Sequence, residues 1–298
     1  MNELFGNPPS LEVGELTEDE AYQLAEALKL QLADHQLPSS DEASIKKMVA
    51  GLGDQRGALR LTFAQSLGSV GEAAIPILCT ALKSNPNVVI RRASAKTLNI
   101  IGSELALPNL IDAFETDDDP VVQGSSAGAM ATIGLPAVES LLKILSNEKC
   151  TAFQVGLINL ALSFIGAKAP DAFNTAAKSE NSEIRIAALT ALSEQIQSGA
   201  SQTARNLLLD ALNDEEAEVR AEAATITGKT LEPEDTEGKL TNLLKDSSPQ
   251  VRKNTALALM KMEDFDSIDA LISAIKAEKD SQVKAVMQVA QNQLTKTT

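Results

Sequence analysis

Apolar and small positions return along this chain in a fixed register every 30 to 35 residues. Two copies show it most fully: Val89-Ile90-Arg91-Arg92-Ala93-Ser94-Ala95-Lys96-Thr97-Leu98 and Glu183-Ile184-Arg185-Ile186-Ala187-Ala188-Leu189-Thr190-Ala191-Leu192. Taking the Arg or its equivalent as anchor places the copies at Arg60, Arg91, Gln123, Val155, Arg185, Arg220, Arg252 and Lys284, spaced by 31, 32, 32, 30, 35, 32 and 32 residues. A small residue stands four positions after five of these anchors (Ala64, Ala95, Ala127, Ala224, Ala256), and an apolar residue seven after six (Leu67, Leu98, Met130, Leu162, Leu192, Leu259). Spacings of three and four put such residues on one face of a helix. Glycine follows eleven positions after the first four anchors, at Gly71, Gly102, Gly134 and Gly166, where each is expected to end the helix in a left-handed turn.

Each repeat therefore reads as helix A, glycine turn, helix B. In the second repeat, helix A spans 88–101 and helix B about 104–115, with Leu107, Leu110, Ile111 and Phe114 at helical spacing. Pro76, Pro108, Pro136 and Pro170 fall near the starts of four successive B helices, where the missing N–H costs nothing. Stacked units of this kind form an all-α fold, a right-handed α-solenoid of about eight short helix pairs, the last stopping after helix A. Residues 1–16 read as a flexible tail and 17–53 as a divergent N-terminal helical cap. The cap opens on a capping box at Thr17 and Glu20, buries Leu24, Leu28 and Leu32, breaks at 35–40, and continues as a second helix over 41–52. The repeat array occupies 54–298. An insertion, Leu231-Glu232-Pro233-Glu234-Asp235-Thr236-Glu237, breaks the rhythm after Arg220 and reads as a projecting loop, a drifted turn before a contact element. Gly124 and Gly128 share one face of a helix, and tight packing is expected to repay their cost of about 1 kcal/mol each.

The pattern Asp-x-x-x-Val-Arg-x-x-Ala-x-x-Ala-Leu with its glycine turn resembles the HEAT repeat. Its short form is similar to the PBS-lyase HEAT-like group, over about residues 54–298. That group contains the E and F subunits of phycobilin lyases, relatives that handle phycobiliproteins, and others that bind iron–sulfur assembly factors. The resemblance implies a non-catalytic protein-binding scaffold or chaperone in phycobiliprotein assembly, maturation or turnover. Its partners would be phycobiliprotein subunits or another HEAT-like subunit. It also implies two alternatives: one subunit of a heterodimeric phycobilin lyase, or an iron–sulfur assembly adaptor. Lyase E-type subunits carry Tyr and Trp near their first repeats, whereas the matching helix here holds Phe63 alone of the aromatics. In HEAT-like arrays the anchor arginine pairs with an acid of its own or a neighbouring turn, for which Asp119, Asp214 and Asp246 are the candidates here.

Composition narrows the chemistry. The formal charge of −15 opposes nucleic acid and anionic membrane surfaces alike. Ten acids face one lysine over 1–42, and ten face Arg220 and Lys229 over 210–237, which would steer a basic protein if aligned on one surface. Aromatics make up 3% of residues, with no Trp and Tyr22 alone of its kind, so no broad flat pigment-gripping surface is evident. No apolar run reaches the roughly 20 residues of a spanning helix, and the start lacks the character of a signal peptide; a cytoplasmic or plastid-stromal place is expected.

His35, in a predicted loop, is the one histidine, and no nucleophile motif accompanies it. No phosphate loop, zinc spacing or calcium loop is present; Asp117-Asp118-Asp119 reads as a capping turn. Cys79 and Cys150 lie in different repeats and read as reduced structural thiols. No catalytic, cofactor or metal residue is assigned. The expected protein-binding surface is the row of B helices, with Asn109, Asp112, Glu139 and Lys143 as candidate contacts.

Overall fold

A computed structural model describes residues 16–166, 168–236 and 238–297; the expected tail lies outside them but for its last residue. All regular structure there is helical. The chain divides into two compact units, Met1–Ala137 and Val138–Thr298.

The first unit holds α1 (Glu18–Ala33), α2 (Glu42–Gly51), α3 (Gly57–Val70), α4 (Ile75–Ser84), α5 (Val88–Ile101), α6 (Leu107–Thr116), α7 (Pro120–Ile133) and the start of α8 (Leu135–Leu145). A helices stack on A helices, α1 on α3, α3 on α5 and α5 on α7, while α2, α4 and α6 stack as B helices. The N-terminal pair thus occupies the places of a repeat. Thr17 makes the capping box: its Oγ1 accepts from Glu20 N–H, and the Glu20 carboxylate accepts from Thr17 N–H. Leu28 is buried as expected, but Ala21 and Ala25 complete the buried side, with Leu24 and Leu32 half-buried. His35, exposed with φ 56°, ends the first helix.

The second unit holds the rest of α8, then α9 (Ala152–Gly166), α10 (Pro170–Ala176), α11 (Ser182–Gln197), α12 (Gln202–Ala211), α13 (Ala217–Thr230), α14 (Lys239–Asn242), α15 (Pro249–Lys261), α16 (Ile268–Ala277) and α17 (Ser281–Thr297). Helices α9, α11, α13, α15 and α17 stack in chain order. The core is built from Leu, Ile, Val and Ala, with Phe63, Phe114 and Phe173 among its largest fully buried side chains. Small residues let these thin helices approach closely, so modest side chains suffice to fill the layer between them.

The glycines divide into two kinds. Gly71, Gly102 and Gly134 have φ of 71°, 66° and 82° and end their helices as the register predicts. Gly166 does not: it is the last helical residue of α9, and a Cβ there would lie 2.8 Å from the Ala191 carbonyl carbon of α11. It serves close packing instead of a turn. At Gly128, where tight packing was expected, a Cβ would meet only Asn99 Nδ2, at 3.7 Å. The insertion after α13 folds back. Leu231 and Thr236 are buried, residues Pro233–Thr236 form a 3-10 turn, and Arg205 of α12 donates to the Asp235 carboxylate at 2.5 Å.

Candidate protein-binding surfaces

The anchor arginines build a ladder along the inter-repeat turns. Arg220 donates through Nη1 to the carbonyl of Asp214, six residues back, at 2.8 Å, and through Nε to the Asp246 carboxylate in the next turn, at 2.7 Å. Arg252 repeats this with the Asp246 carbonyl at 2.9 Å and the Glu278 carboxylate at 2.6 Å. Arg185 does so with the Ser179 carbonyl and Asp214, and Arg91 with the Asn85 carbonyl and Asp117. Asp214 and Asp246 thus bind two arginines each, one by the side chain and one by the backbone. Asp214 and Asp246 are the expected partners, but Asp119 is taken by Arg92 at 2.5 Å, leaving Asp117 to Arg91. Gln123 keeps the anchor's backbone bond, donating to the Asp117 carbonyl at 2.7 Å. The turn carboxylates also accept from backbone N–H groups at the start of the next A helix: Asp119 from Val121 and Val122, and Asp246 from Ser248. Guanidinium groups held this way are not offered to an acidic ligand.

Hydrogen bonds from Arg92 hold the Asp119 carboxyl down at about 2, and those from Arg252 do the same for Glu278. Both values lie below the ordinary carboxylate values near 4 that the unfolded chain has. The unfolded state then binds more protons, so these rungs stabilise fully above about pH 4 and are lost as pH falls toward 2. Thermal melts followed by circular dichroism are expected to show a flat midpoint down to about pH 4 and a fall below it.

The candidate B-helix contacts fall in both units. Asn109 and Asp112 are half-buried on α6, and the Asp112 carboxylate is paired with Lys83 of α4 at 3.0 Å. Asp112 borders a cleft of about 360 Å³ whose wall includes Lys83, Asn85, Pro86, Arg91 and Asp117. Glu139 and Lys143 are exposed one turn apart on α8, in the second unit. Leu105 and Leu135, four residues before Asn109 and Glu139, are exposed as well.

Three large exposed apolar side chains gather on one A helix. Helix α9 has no charged residue, and Phe153, Leu160 and Phe164 are 50%, 57% and 64% exposed. Half-buried Leu157 and exposed Gly156 lie on the same face, while Ile158, Ala161, Leu162 and Ile165 fill the opposite one. This stripe was not singled out from the sequence. Thr151 to Ala167 is uncharged, but so is Pro120 to Val138, so the lack of charge alone did not mark this helix out.

Among the described residues, no three His, Cys, Asp or Glu side chains form a group able to hold a metal. Cys79 is buried in α4, and burial pushes its thiol up to about 11; Cys150 is half-buried in the turn before α9. A thiol reagent at neutral pH is expected to label Cys150 in the native protein and Cys79 only on unfolding, checked by peptide mass mapping. Among the described residues no helix is long and apolar enough to cross a membrane.

Repeat, stack and ladder define a HEAT-repeat protein, and the HEAT-repeat family model matches residues 45–131 and 205–290. The chain belongs to that family. It is 64% identical over 296 residues to "Bilin biosynthesis protein MpeU" of Synechococcus sp. (strain WH8020), covering 99% of this chain and 100% of that protein. It is 28% identical over 163 residues to "Uncharacterized phycocyanin operon protein Z" of Pseudanabaena tenuis (strain PCC 7409), covering 51% of this chain and 80% of that one. Among solved structures, importin beta matches 92% of this chain and 48% of its own at 14% identity with a TM-score of 0.50, a likeness of fold.

Proposed function

We propose that this chain works in bilin biosynthesis as a phycobilin-lyase-like protein, holding a phycobiliprotein polypeptide where a bilin is delivered to it. The observation that carries this reading is the 64% identity to a bilin biosynthesis protein along essentially the whole of both chains. Helix-repeat surfaces supply area for a protein partner without one deep pocket, which suits a role in positioning. The contribution to the chemistry is then alignment: a bilin and its acceptor held together react as an intramolecular pair. In this reading Asn109 and Asp112 of the first unit and Glu139 and Lys143 of the second each contact the polypeptide, and a second HEAT-like subunit completes the assembly. The cytoplasm is the fitting compartment.

The test mixes purified chain, a bilin and a separate phycobiliprotein subunit, with and without a second HEAT-repeat subunit. Covalent bilin is read as fluorescence of the denatured subunit on a gel. Attachment accelerated over the unassisted reaction supports a lyase-like role. Subunit binding with unchanged attachment reassigns the chain to chaperoning. Neither binding nor acceleration overturns the reading.

A further inference from the structure

We infer that the turn at Arg60 holds an open rung of the ladder, a site that binds a carboxylate brought by another molecule. The inference goes beyond the proposed function, because it gives a ligand chemistry to residues that reading does not use. Four anchors show what a closed rung is. Arg91, Arg185, Arg220 and Arg252 each donate through Nη1 to the carbonyl six residues back. Through Nε and Nη2 each also donates to the two oxygens of one carboxylate in the next turn. Arg60 makes the first contact and lacks the second. Its Nη1 donates to the Asp54 carbonyl, and no described residue accepts from its Nε or Nη2. Every other arginine of the chain is in an ion pair; half-buried Arg60 is in none among the described residues.

Asn85 is the reason. It stands six residues before Arg91, the register position that holds Asp117, Asp214 and Asp246 in later turns. Each of these turns folds alike: Oδ1 accepts from the N–H two residues on, at 2.9 Å for Asn85, Asp117 and Asp214 and 2.8 Å for Asp246. In the three aspartates Oδ2 then takes Nε of the arginine one repeat back. The N–H of Asn87 requires an acceptor, which fixes Asn85 Oδ1 and puts Nδ2 where the aspartates have Oδ2. An amide nitrogen cannot accept, and Asn85 Nδ2 donates to nothing among the described residues. By register, Arg60 Nε, Arg60 Nη2 and Asn85 Nδ2 are therefore three donors around a place that carboxylate oxygens fill in the other turns. The Asp54 carboxylate cannot close this rung, because it is committed to Arg56 Nε at 2.9 Å and Nη2 at 2.7 Å.

Shape and charge select the ligand. The guanidinium fork matches a planar group with two oxygens, and the closed rungs show this same edge reading a carboxylate by both. Glu18 and Asp19 act on neighbouring Arg56, and the chain carries −15, so a phosphate with its second charge meets more repulsion than a carboxylate does. Partial burial of Arg60 and Asn85 makes the attraction stronger than at an open surface. An acidic side chain of a bound polypeptide and a small organic acid present the same group.

The test uses the full chain with isotope-labelled arginine and follows the Nε–H signals by NMR as sodium acetate replaces sodium chloride at constant ionic strength. Loss of one signal in Arg60→Met identifies Arg60. That signal is expected to shift along a saturating curve, while those of Arg91, Arg185, Arg220 and Arg252 stay fixed. Asn85→Asp, nearly isosteric, closes the rung from within. In this variant the Arg60 signal moves to the range of the closed rungs, its response to acetate is lost, and the thermal midpoint rises by about 2 °C. Repeating the titration with N-acetylglutamate α-amide separates the sources. Tighter binding than acetate points to a polypeptide side chain, and equal or weaker binding points to a small organic acid. An Arg60 signal that acetate leaves unmoved, that added chloride moves as far, or that still responds in Asn85→Asp overturns the inference. So does a shift shared by all the arginines. No bilin or phycobiliprotein enters these assays, so their failure and that of the proposed function are distinguishable.

Discussion

Arg220→Met is expected to lower the unfolding free energy by about 3–5 kcal/mol, the cost of breaking a buried pair by removing one partner. The Asp246 side chain is 8% exposed and that of Arg220 14%, so water cannot replace the lost guanidinium. Methionine keeps the stem's packing, which confines the loss to the charge and its hydrogen bonds. Those include the bonds to the Asp214 and Glu215 carbonyls, which lose their donor as well. Burial pushes the Asp246 carboxyl up, and in the wild type Arg220 with the Ser248 N–H more than offsets it, leaving the group lowered. Without Arg220 the upward push prevails. A raised folded pKa favours folding as the group protonates, so the deficit of the variant is greatest near pH 7 and narrows as pH falls through the carboxylate range. Urea titrations at pH 7 and pH 4 check both size and trend. Asp246→Asn in the Arg220→Met background is expected to recover part of the loss, because the stranded charge is then gone.

Gly228→Val is expected to cost about 3 kcal/mol, at the upper end for overpacking, and to do so by forcing α13 from α15. A Cβ at Gly228 would sit 2.6 Å from both Cα and Cβ of Ala258, so the obstacle is backbone and cannot rotate aside. The same pair of helices is pinned elsewhere: Asn254 donates to the Ala221 carbonyl at 3.1 Å and to Thr225 Oγ1 at 3.0 Å. Separation at Gly228 therefore strains these bonds too. Alanine in a helix gains about 1 kcal/mol over glycine, which is too little to offset the clash at 228 but decides the sign at Gly156, where the space is open. Guanidinium unfolding of Gly228→Val beside Gly156→Ala is expected to give shifts of opposite sign.

The repeat was legible because its period is set by helix length and turn length, which small and apolar residues mark directly. Boundaries of the A helices followed from Gly71, Gly102 and Gly134. Gly166 misled because composition cannot separate a glycine that permits positive φ from one that permits contact; only the next helix, 25 residues on at Ala191, makes that distinction. The ladder was half legible. Asp214 and Asp246 stood out as turn acids, but Glu278 did not, and Arg91 took Asp117 because Asp119 is committed to Arg92. A rule now visible in the sequence would have found them: an acid six before an anchor, as at Asp117, Asp214, Asp246 and Glu278, meets the previous repeat's arginine by its side chain. Where Gln123 and Val155 replace the arginine, the corresponding side chains are Lys149 and Ser179. The candidate surface was least legible, since exposure on one side of an apolar helix depends on what the rest of the chain fails to cover.

The ladder bears on how such a gene can change in length. Between Arg185 and Glu278 each repeat brings an arginine for the acid ahead and, at Asp214 and Asp246, a carbonyl and carboxylate for the arginines on either side. Duplicating or deleting the 32-residue segment from one such acid to the next leaves each guanidinium with a carboxylate. A deletion joining the Arg91 repeat to the turn at Ser179 would strand an arginine against a hydroxyl. In-frame gain and loss of whole repeats is thus tolerated in the C-terminal stretch and opposed across the middle of the chain.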